Sequence, residues 1–194
     1  MKETEITVEI LEPLNEAVNK IIKSGYTIDH KFIMKDCYFS KHSTEILKNF
    51  KYEDLIKNSF LLRTFVEFGE TTNFLIYKSK NYDNNGNVIS EEKCSTPIQD
   101  TSKVKKVLEL AGINCWCEIE QNMTIFTKDN ADFVLQEIEG LGNYIEYEEQ
   151  PYMKDWTEEE KINELLNTLK NIGLNLSEDY SCKKILKKFK QQSN

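Results

Sequence analysis

Positive charge is in short supply. The 194 residues hold 25 Lys and Arg against 33 Asp and Glu, a formal net charge of -8. That deficit argues against a general surface for nucleic-acid polymers or anionic membranes, which need an excess of positive field. Histidine is scarcer: His30 and His42 are the only two, so imidazole-based metal or triad chemistry has little material. No apolar run approaches the ~20 residues that a membrane helix needs. The opening Met1-Lys2-Glu3-Thr4-Glu5 has no apolar h-region, so no signal peptide is expected. The five cysteines (Cys37, Cys94, Cys115, Cys117, Cys182) are odd in number and scattered. They fit reduced thiols of a cytoplasmic protein better than a disulfide framework. Cys115-Trp116-Cys117 is too short, with no second ligand pair nearby, to read as a zinc motif.

What is present suits one globular domain spanning residues 1–194. Apolar content of 39% and charged content of 30% give enough chain for a sizeable core. The most informative stretch runs from Phe133 to Glu148. It reads as two short strands joined at Gly140-Leu141-Gly142. The second strand puts Tyr144, Glu146 and Glu148 on one face, because strand side chains alternate. The first strand of the chain does the same with Glu3, Glu5, Thr7 and Glu9, opposite Thr4, Ile6, Val8 and Ile10. If the two strands pair, several carboxylates share one surface. Two carboxylates about 4 Å apart repel by roughly 4 kcal/mol at an effective dielectric near 20. A hard cation would remove that cost; so would the solvated face of an open antiparallel sheet.

Along the rest of the chain, a helix is expected from about Pro13, with Leu14, Ala17, Val18, Ile21 and Ile22 as its apolar stripe and Gly25 as its stop. Residues 27–40 read as one bent strand or two short ones, and 41–58 as one or two short helices. Phe60–Glu67 and Asn73–Lys80 read as paired strands. Asn85-Gly86 marks a hairpin turn leading to a strand near Val88–Ser95. Asp100 caps a helix with Val104, Val107, Leu108 and Ala111 facing inward and Gly112 ending it. Residues 115–126 form a further strand. Thr157-Glu158-Glu159-Glu160 is a capping box for a helix with Ile162, Leu165, Leu166 and Leu169 inward. A Lys-rich helix near Tyr180–Phe189 closes the chain, its basic run being a solvated face. The order implies an α+β fold, with helices packed outside a largely antiparallel sheet. A closed or nearly closed barrel would give the polar strand faces a common interior.

In this order and spacing the residues resemble the CYTH superfamily, which contains class IV adenylyl cyclases, thiamine triphosphatases and inorganic triphosphatases. The similarity runs along nearly the whole chain. Glu3-Thr4-Glu5-Ile6-Thr7 stands for the family's E-x-E-x-K. Asp36-Cys37-Tyr38-Phe39 stands for D-x-Y-F, Leu62-Arg63-Thr64-Phe65 for L-R-x-R, and Leu75-Ile76-Tyr77-Lys78 for L-T-Y-K. Gln136-Glu137-Ile138-Glu139-Gly140-Leu141-Gly142, followed by Glu146-Tyr147-Glu148, stands for D-E-V-E-G-L-G and E-x-E. The resemblance implies an antiparallel β-tunnel (triphosphate tunnel fold). It implies Mg²⁺ or Mn²⁺ held by Glu3, Glu5, Glu146 and Glu148, and phosphates held by Arg63 and Lys78. The implied partner is a nucleotide or other organic or inorganic triphosphate. The family often dimerises, so a homodimer is implied as well.

The departures fall on the basic set. Thr7 and Phe65 neutralise two family positions, and the K-x-R strand falls on Glu118 and Glu120, which reverses two more. Gln136 replaces an Asp. Two readings therefore stand. One is a metal-dependent triphosphatase or an adenylyl cyclase-like enzyme, with hydrolysis needing fewer specific contacts than cyclisation. The other is a catalytically degenerate tunnel that binds a less anionic small molecule, with Phe65, Phe74, Ile76 and Tyr144 lining it.

Overall fold

A computed structural model describes residues 4–82, 88–129, 131–178 and 184–192. Its elements in chain order are β1 (Glu5–Ile10), α1 (Leu14–Lys23), β2 (Thr27–Ser40), α2 (Thr44–Leu47), α3 (Tyr52–Ile56), β3 (Asn58–Glu67), β4 (Glu70–Tyr82) and β5 (Val88–Ile98). There follow α4 (Thr101–Leu110), β6 (Asn114–Lys128), β7 (Ala131–Ile138), β8 (Gly142–Glu148), a 3-10 turn (Pro151–Met153), α5 (Glu158–Asn171) and α6 (Lys184–Gln192). The eight strands neighbour one another in the order β1-β8-β7-β6-β2-β3-β4-β5. The β1–β8, β7–β8, β6–β7, β2–β3, β3–β4 and β4–β5 pairs are antiparallel. The fold class is the α+β expected from the sequence. The Asn85-Gly86 turn, Glu3 and the start of the last helix at Tyr180 lie outside the described residues. No helix among the described residues is long and apolar enough to cross a membrane.

The chain divides into two compact units, Met1–Phe32 with Gln121–Cys182 and Ile33–Glu120 with Lys183–Asn194. The long strands β2 and β6 each run through both.

In the first unit, period-two alternation does most of the sorting. Ile6, Val8 and Ile10 of β1 are buried with Ile145 and Tyr147 of β8, Phe133 and Leu135 of β7, and Phe126 of β6. Ala17 and Ile21 of α1 and Leu165 and Leu169 of α5 belong to the same core. Helix α1 begins after Pro13 and ends before Gly25, whose φ of +92° only glycine adopts without strain. The α5 capping box is complete: the Thr157 side chain accepts from the Glu160 N–H, and the Glu160 carboxylate accepts from the Thr157 N–H at 2.8 Å. Its buried face differs from the expected stripe. Lys161, Leu165 and Leu169 go deepest, while Ile162 and Leu166 are only partly covered. The lysine is tolerated because its Nζ donates to Glu149 Oε2 at 2.7 Å, and the same oxygen accepts from the Thr4 N–H at 2.8 Å.

In the second unit, β3 and β4 form a tight hairpin at Phe68-Gly69. Both turn residues have positive φ, +49° and +80°, as the primed two-residue turns require. Phe68 is 81% exposed there. Tyr38, Trp116 and Phe189 form an aromatic cluster, the first pair tilted and the second edge-on, with ring centroids 5.8 and 5.0 Å apart. Burial holds the Tyr38 phenol well above its ordinary range, with the Asp36 carboxylate adding to the effect. Asp100 caps α4 by accepting from the Lys103 N–H at 2.9 Å, as expected. The inward stripe assigned to that helix is a correction. No α4 residue is buried, and Val107 is exposed. The partly covered arc is Thr101, Val104, Lys105 and Leu108, one face at helical spacing. Val107 and Ala111 fall outside it.

Leu165→Ala is expected to cost about 2–5 kcal/mol of unfolding free energy, and Thr157→Ala about 1 kcal/mol. Urea denaturation followed by far-UV circular dichroism measures both. Equal small losses would contradict the burial described for α5.

Candidate functional site

The register of β1 against β8 sets the acidic surface. Glu5 stands opposite Glu148, Thr7 opposite Glu146 and Glu9 opposite Tyr144. Directly opposed residues of an antiparallel pair share a face. Carboxylate oxygens of Glu5, Glu146 and Glu148 consequently lie within 4.8 Å of one another. Glu5 and Glu148 are exposed and Glu146 is half-buried. The next strand adds Gln136, fully buried and opposite Tyr144. Its Nε2 donates to Glu146 Oε2 at 2.7 Å, which fixes that carboxylate's orientation and leaves the second oxygen aimed elsewhere.

The donor set is all carboxylate oxygen, the hard chemistry that Mg²⁺ and Mn²⁺ prefer. Mg²⁺ at about 2.0–2.1 Å from each ligand spaces its ligand oxygens at most ~4.2 Å apart. A spread within 4.8 Å therefore asks only a few tenths of an ångström from exposed side chains. The residues fit a divalent cation. Glu3, the fourth acid of the expected set, lies outside the described residues.

The second unit carries the basic residues. Arg63 of β3 stands opposite Asp36 of β2 and Phe74 of β4. Its Nε and Nη2 donate to the two Asp36 oxygens at 2.7 and 2.6 Å. This bidentate pair takes two of the five guanidinium N–H donors. The guanidinium also lies 5.8 Å from the Phe65 ring centroid, and Phe65 meets Phe74 edge-on at 6.1 Å. Lys78 stands opposite Ser59 on one side and Lys93 on the other. By alternation it shares the Arg63 face but sits two rungs along, past the buried Leu61–Ile76 rung. Four residues of strand separate those backbone positions by roughly 13 Å. The cations are thus two separate spots with apolar side chains between them.

The register expected for Glu118 and Glu120 needs correction. Glu120 pairs with Lys35 at 2.7 Å and Glu118 with Lys105 at 3.2 Å. Lys35 and Cys37 alternate with Asp36 along β2, so Glu118 and Glu120 lie on the strand face away from the Asp36–Arg63 pair. On that other face β6 presents buried Ile119, which neither adds nor reverses charge. The basic positions are therefore lost there by neutral replacement rather than by reversal of sign.

With this geometry in hand, the chain was compared with known proteins. No family model matches it. A Methanocaldococcus jannaschii protein named "putative adenylate cyclase" is 27% identical over 180 residues, covering 92% of this chain and 93% of that protein. A solved Pyrococcus horikoshii protein superposes with a TM-score of 0.69 at 17% identity, covering 99% of both chains. A Hippeastrum protein, described as a "putative adenylyl cyclase" with a dominant triphosphatase activity, superposes with a TM-score of 0.64 at 16% identity, covering 98% of this chain and 96% of that one. The solved structures share the fold, and the names of these proteins agree with the resemblance read from the sequence. They also carry the fold class expected from the sequence, α+β with an antiparallel CYTH-type sheet.

Three elements of this geometry are not legible in the sequence. Asp36 was noticed as part of a motif but not as the partner of Arg63; its position opposite Arg63 becomes visible only once the β2–β3 register is known. Lys93 faces Lys78, and nothing local in Glu92-Lys93-Cys94 signals it. Gln136 was read as a lost carboxylate, whereas it is a hydrogen-bond donor to a retained one.

Asp36→Ala is expected to destabilise the protein by about 3–5 kcal/mol, because the Asp36 side chain is 2% and the Arg63 side chain 17% exposed and removal leaves a guanidinium without its counter-charge. Asp36→Leu combined with Arg63→Met should recover most of that loss. Chemical denaturation of the single and double variants provides the check; a single variant within about 1 kcal/mol of the parent would contradict the buried-pair reading.

Proposed function

We propose that the protein is a CYTH-type enzyme acting on a triphosphate-containing substrate with Mg²⁺ or Mn²⁺, and that the reaction is hydrolysis. The carrying observation is the Glu5–Glu146–Glu148 cluster with Gln136 bound to Glu146. The likeness to proteins named adenylate cyclases, one with a dominant triphosphatase activity, supports the same reading. In it, Glu5, Glu146 and Glu148 hold the metal, with Glu3 as a further candidate, and Arg63 and Lys78 contact phosphate oxygens. The cation supplies charge neutralisation and orients the attacking group. Gln136 holds Glu146 in one orientation, so that less reorganisation is needed on binding. Arg63 is held in one geometry by Asp36. Hydrolysis is preferred over cyclisation because water needs no ribose contacts, and neutral Thr7, Phe65 and Ile119 leave fewer charged contacts for a nucleotide.

A second reading has its own observation. Phe65, Phe74 and Ile76 share the strand face of Arg63 and Lys78, and Arg63 is neutralised by Asp36. That surface suits a less anionic, partly apolar small molecule.

Phosphate release from tripolyphosphate, ATP and thiamine triphosphate, assayed with Mg²⁺ and with Mn²⁺, tests the proposal. Turnover is expected with at least one substrate and none in the presence of a chelator. Gln136→Leu should lose about 10–100-fold in activity or metal affinity, as loss of groups that orient metal ligands does. Glu146→Gln should lose more. Folded protein that turns over none of the three substrates defeats the enzyme reading. If a thermal-shift screen then finds stabilisation only by neutral or cationic small molecules, the binding reading takes its place.

A further inference from the structure

A second cluster of reactive side chains lies in the second unit, on the β2–β6 face away from the Asp36–Arg63 pair. Cys37 Sγ of β2 is 2.7 Å from Cys115 Sγ of β6. Glu118 Oε1 lies 3.4 Å from the first sulfur and 3.6 Å from the second, and Lys105 Nζ donates to that same oxygen at 3.2 Å. Unbonded heavy atoms of this size settle at roughly 3.5–4 Å, so the two sulfurs sit closer than independent thiols would. Two thiolates sharing one tetrahedral zinc at about 2.3 Å each stand roughly 3.7–3.8 Å apart. The observed approach is too short for that as well. A bond between the two sulfurs is the chemistry that the contact favours.

The surroundings make the pair reactive. The hydrogen bond from Cys37 lowers the Cys115 thiol below its ordinary value and raises Cys37, so Cys115 is the sulfur that gives up its proton more readily. Lys105 favours the Cys115 thiolate, while burial and Glu118 oppose it. Cys117, by contrast, is pushed up to about 12 by burial, which leaves it inert. A cleft of about 420 Å³ reaches Cys37 and is lined also by Lys35, Thr101, Lys105, Glu120 and Lys188. It gives a small molecule access, and its lining balances Lys35, Lys105 and Lys188 against Asp36, Glu118 and Glu120.

We propose that Cys37 and Cys115 form a dithiol–disulfide centre that reacts by exchange with low-molecular-weight disulfides. A thiolate of the pair attacks one sulfur of the small disulfide. That S–S bond breaks, one small thiolate leaves and a mixed disulfide forms on the protein. The second protein thiolate then attacks the protein sulfur of the mixed disulfide, closes the Cys37–Cys115 bond and expels the second small thiolate. The pair loses two electrons, the small disulfide gains them, and the two protons of the pair end on the two leaving thiols. The new bond would join residues 78 apart in sequence and pin β2 to β6 next to Asp36. Cys37 and Cys115 are free thiols, as expected from the sequence, but nothing in their spacing announces that they meet.

The test uses the reduced full-length chain, incubated with oxidised glutathione, alkylated and mapped by peptide mass spectrometry. The expected result is a linked Cys37–Cys115 peptide pair, lighter by two hydrogens, with Cys94 still alkylated and both sites recovered after dithiothreitol. Cys37→Ser should leave Cys115 as a stable glutathione adduct, and Lys105→Met should slow the closure. Recovery of both thiols alkylated, or of two separate adducts in the parent chain, overturns the proposal. So does protection of both thiols by Zn²⁺ alone with release by a chelator, which would make the cluster a metal site.

Discussion

The pairing of β1 with β8 in one register carries the acidic site. Alternation gives each strand two chemically opposite faces, Ile6, Val8 and Ile10 against Glu5, Thr7 and Glu9. A slip of one residue would turn the acids into the α1–α5 core and the aliphatics out of it. Burying even one of those carboxylates without a partner costs more than several buried methylenes return. The core of the first unit thus selects the register, and the register brings Glu5, Glu146 and Glu148 within 4.8 Å. The acidic cluster follows from packing on the opposite face of the same strands.

The second unit handles its polar residues differently. Its cation nearest the CYTH pattern, Arg63, is already held by a buried carboxylate at 2.6 and 2.7 Å. Lys78 is set apart from it by the Leu61–Ile76 rung. A continuous basic cradle would attract a polyanion through summed field and would pay for its own repulsion when empty. Here the repulsion is removed locally, by Asp36, and the field available to a ligand is weaker. Charge lost by neutral replacement at Thr7, Phe65 and Ile119 points the same way. Fold by itself does not decide between chemistry and binding.

Legibility followed the range of the interactions concerned. Helix ends set by local hydrogen bonds, such as the Thr157–Glu160 box and the Asp100 cap, were readable because both partners lie within three residues. The period-two faces of β1 and β8 were readable for the same reason, and their pairing needed only a motif order to suggest it. The features that were missed need a partner far along the chain. Lys161 reads as the polar edge of α5 until Glu149 is placed beside it. The sequence leaves open which face Glu118 and Glu120 take, because strand phase in a 15-residue strand cannot be anchored from within. The α4 stripe was misjudged since periodicity says which residues share a face, not whether anything covers that face. The Phe68-Gly69 turn carries a phenylalanine at positive φ, a residue that no turn preference favours.

Gln136 shows how a departure from a pattern can preserve a site. A carboxylate at that buried position would stand beside Glu146 and add a further negative charge in surroundings of low dielectric. Two such groups at hydrogen-bond distance cannot both stay ionised without a cation, so the apo site would take up a proton or distort. The amide removes that conflict. It donates to Glu146 at 2.7 Å, orients the carboxylate, and lowers the total negative charge. The consequence is a cluster with less internal repulsion, in which the placement of the remaining glutamates matters more than their number.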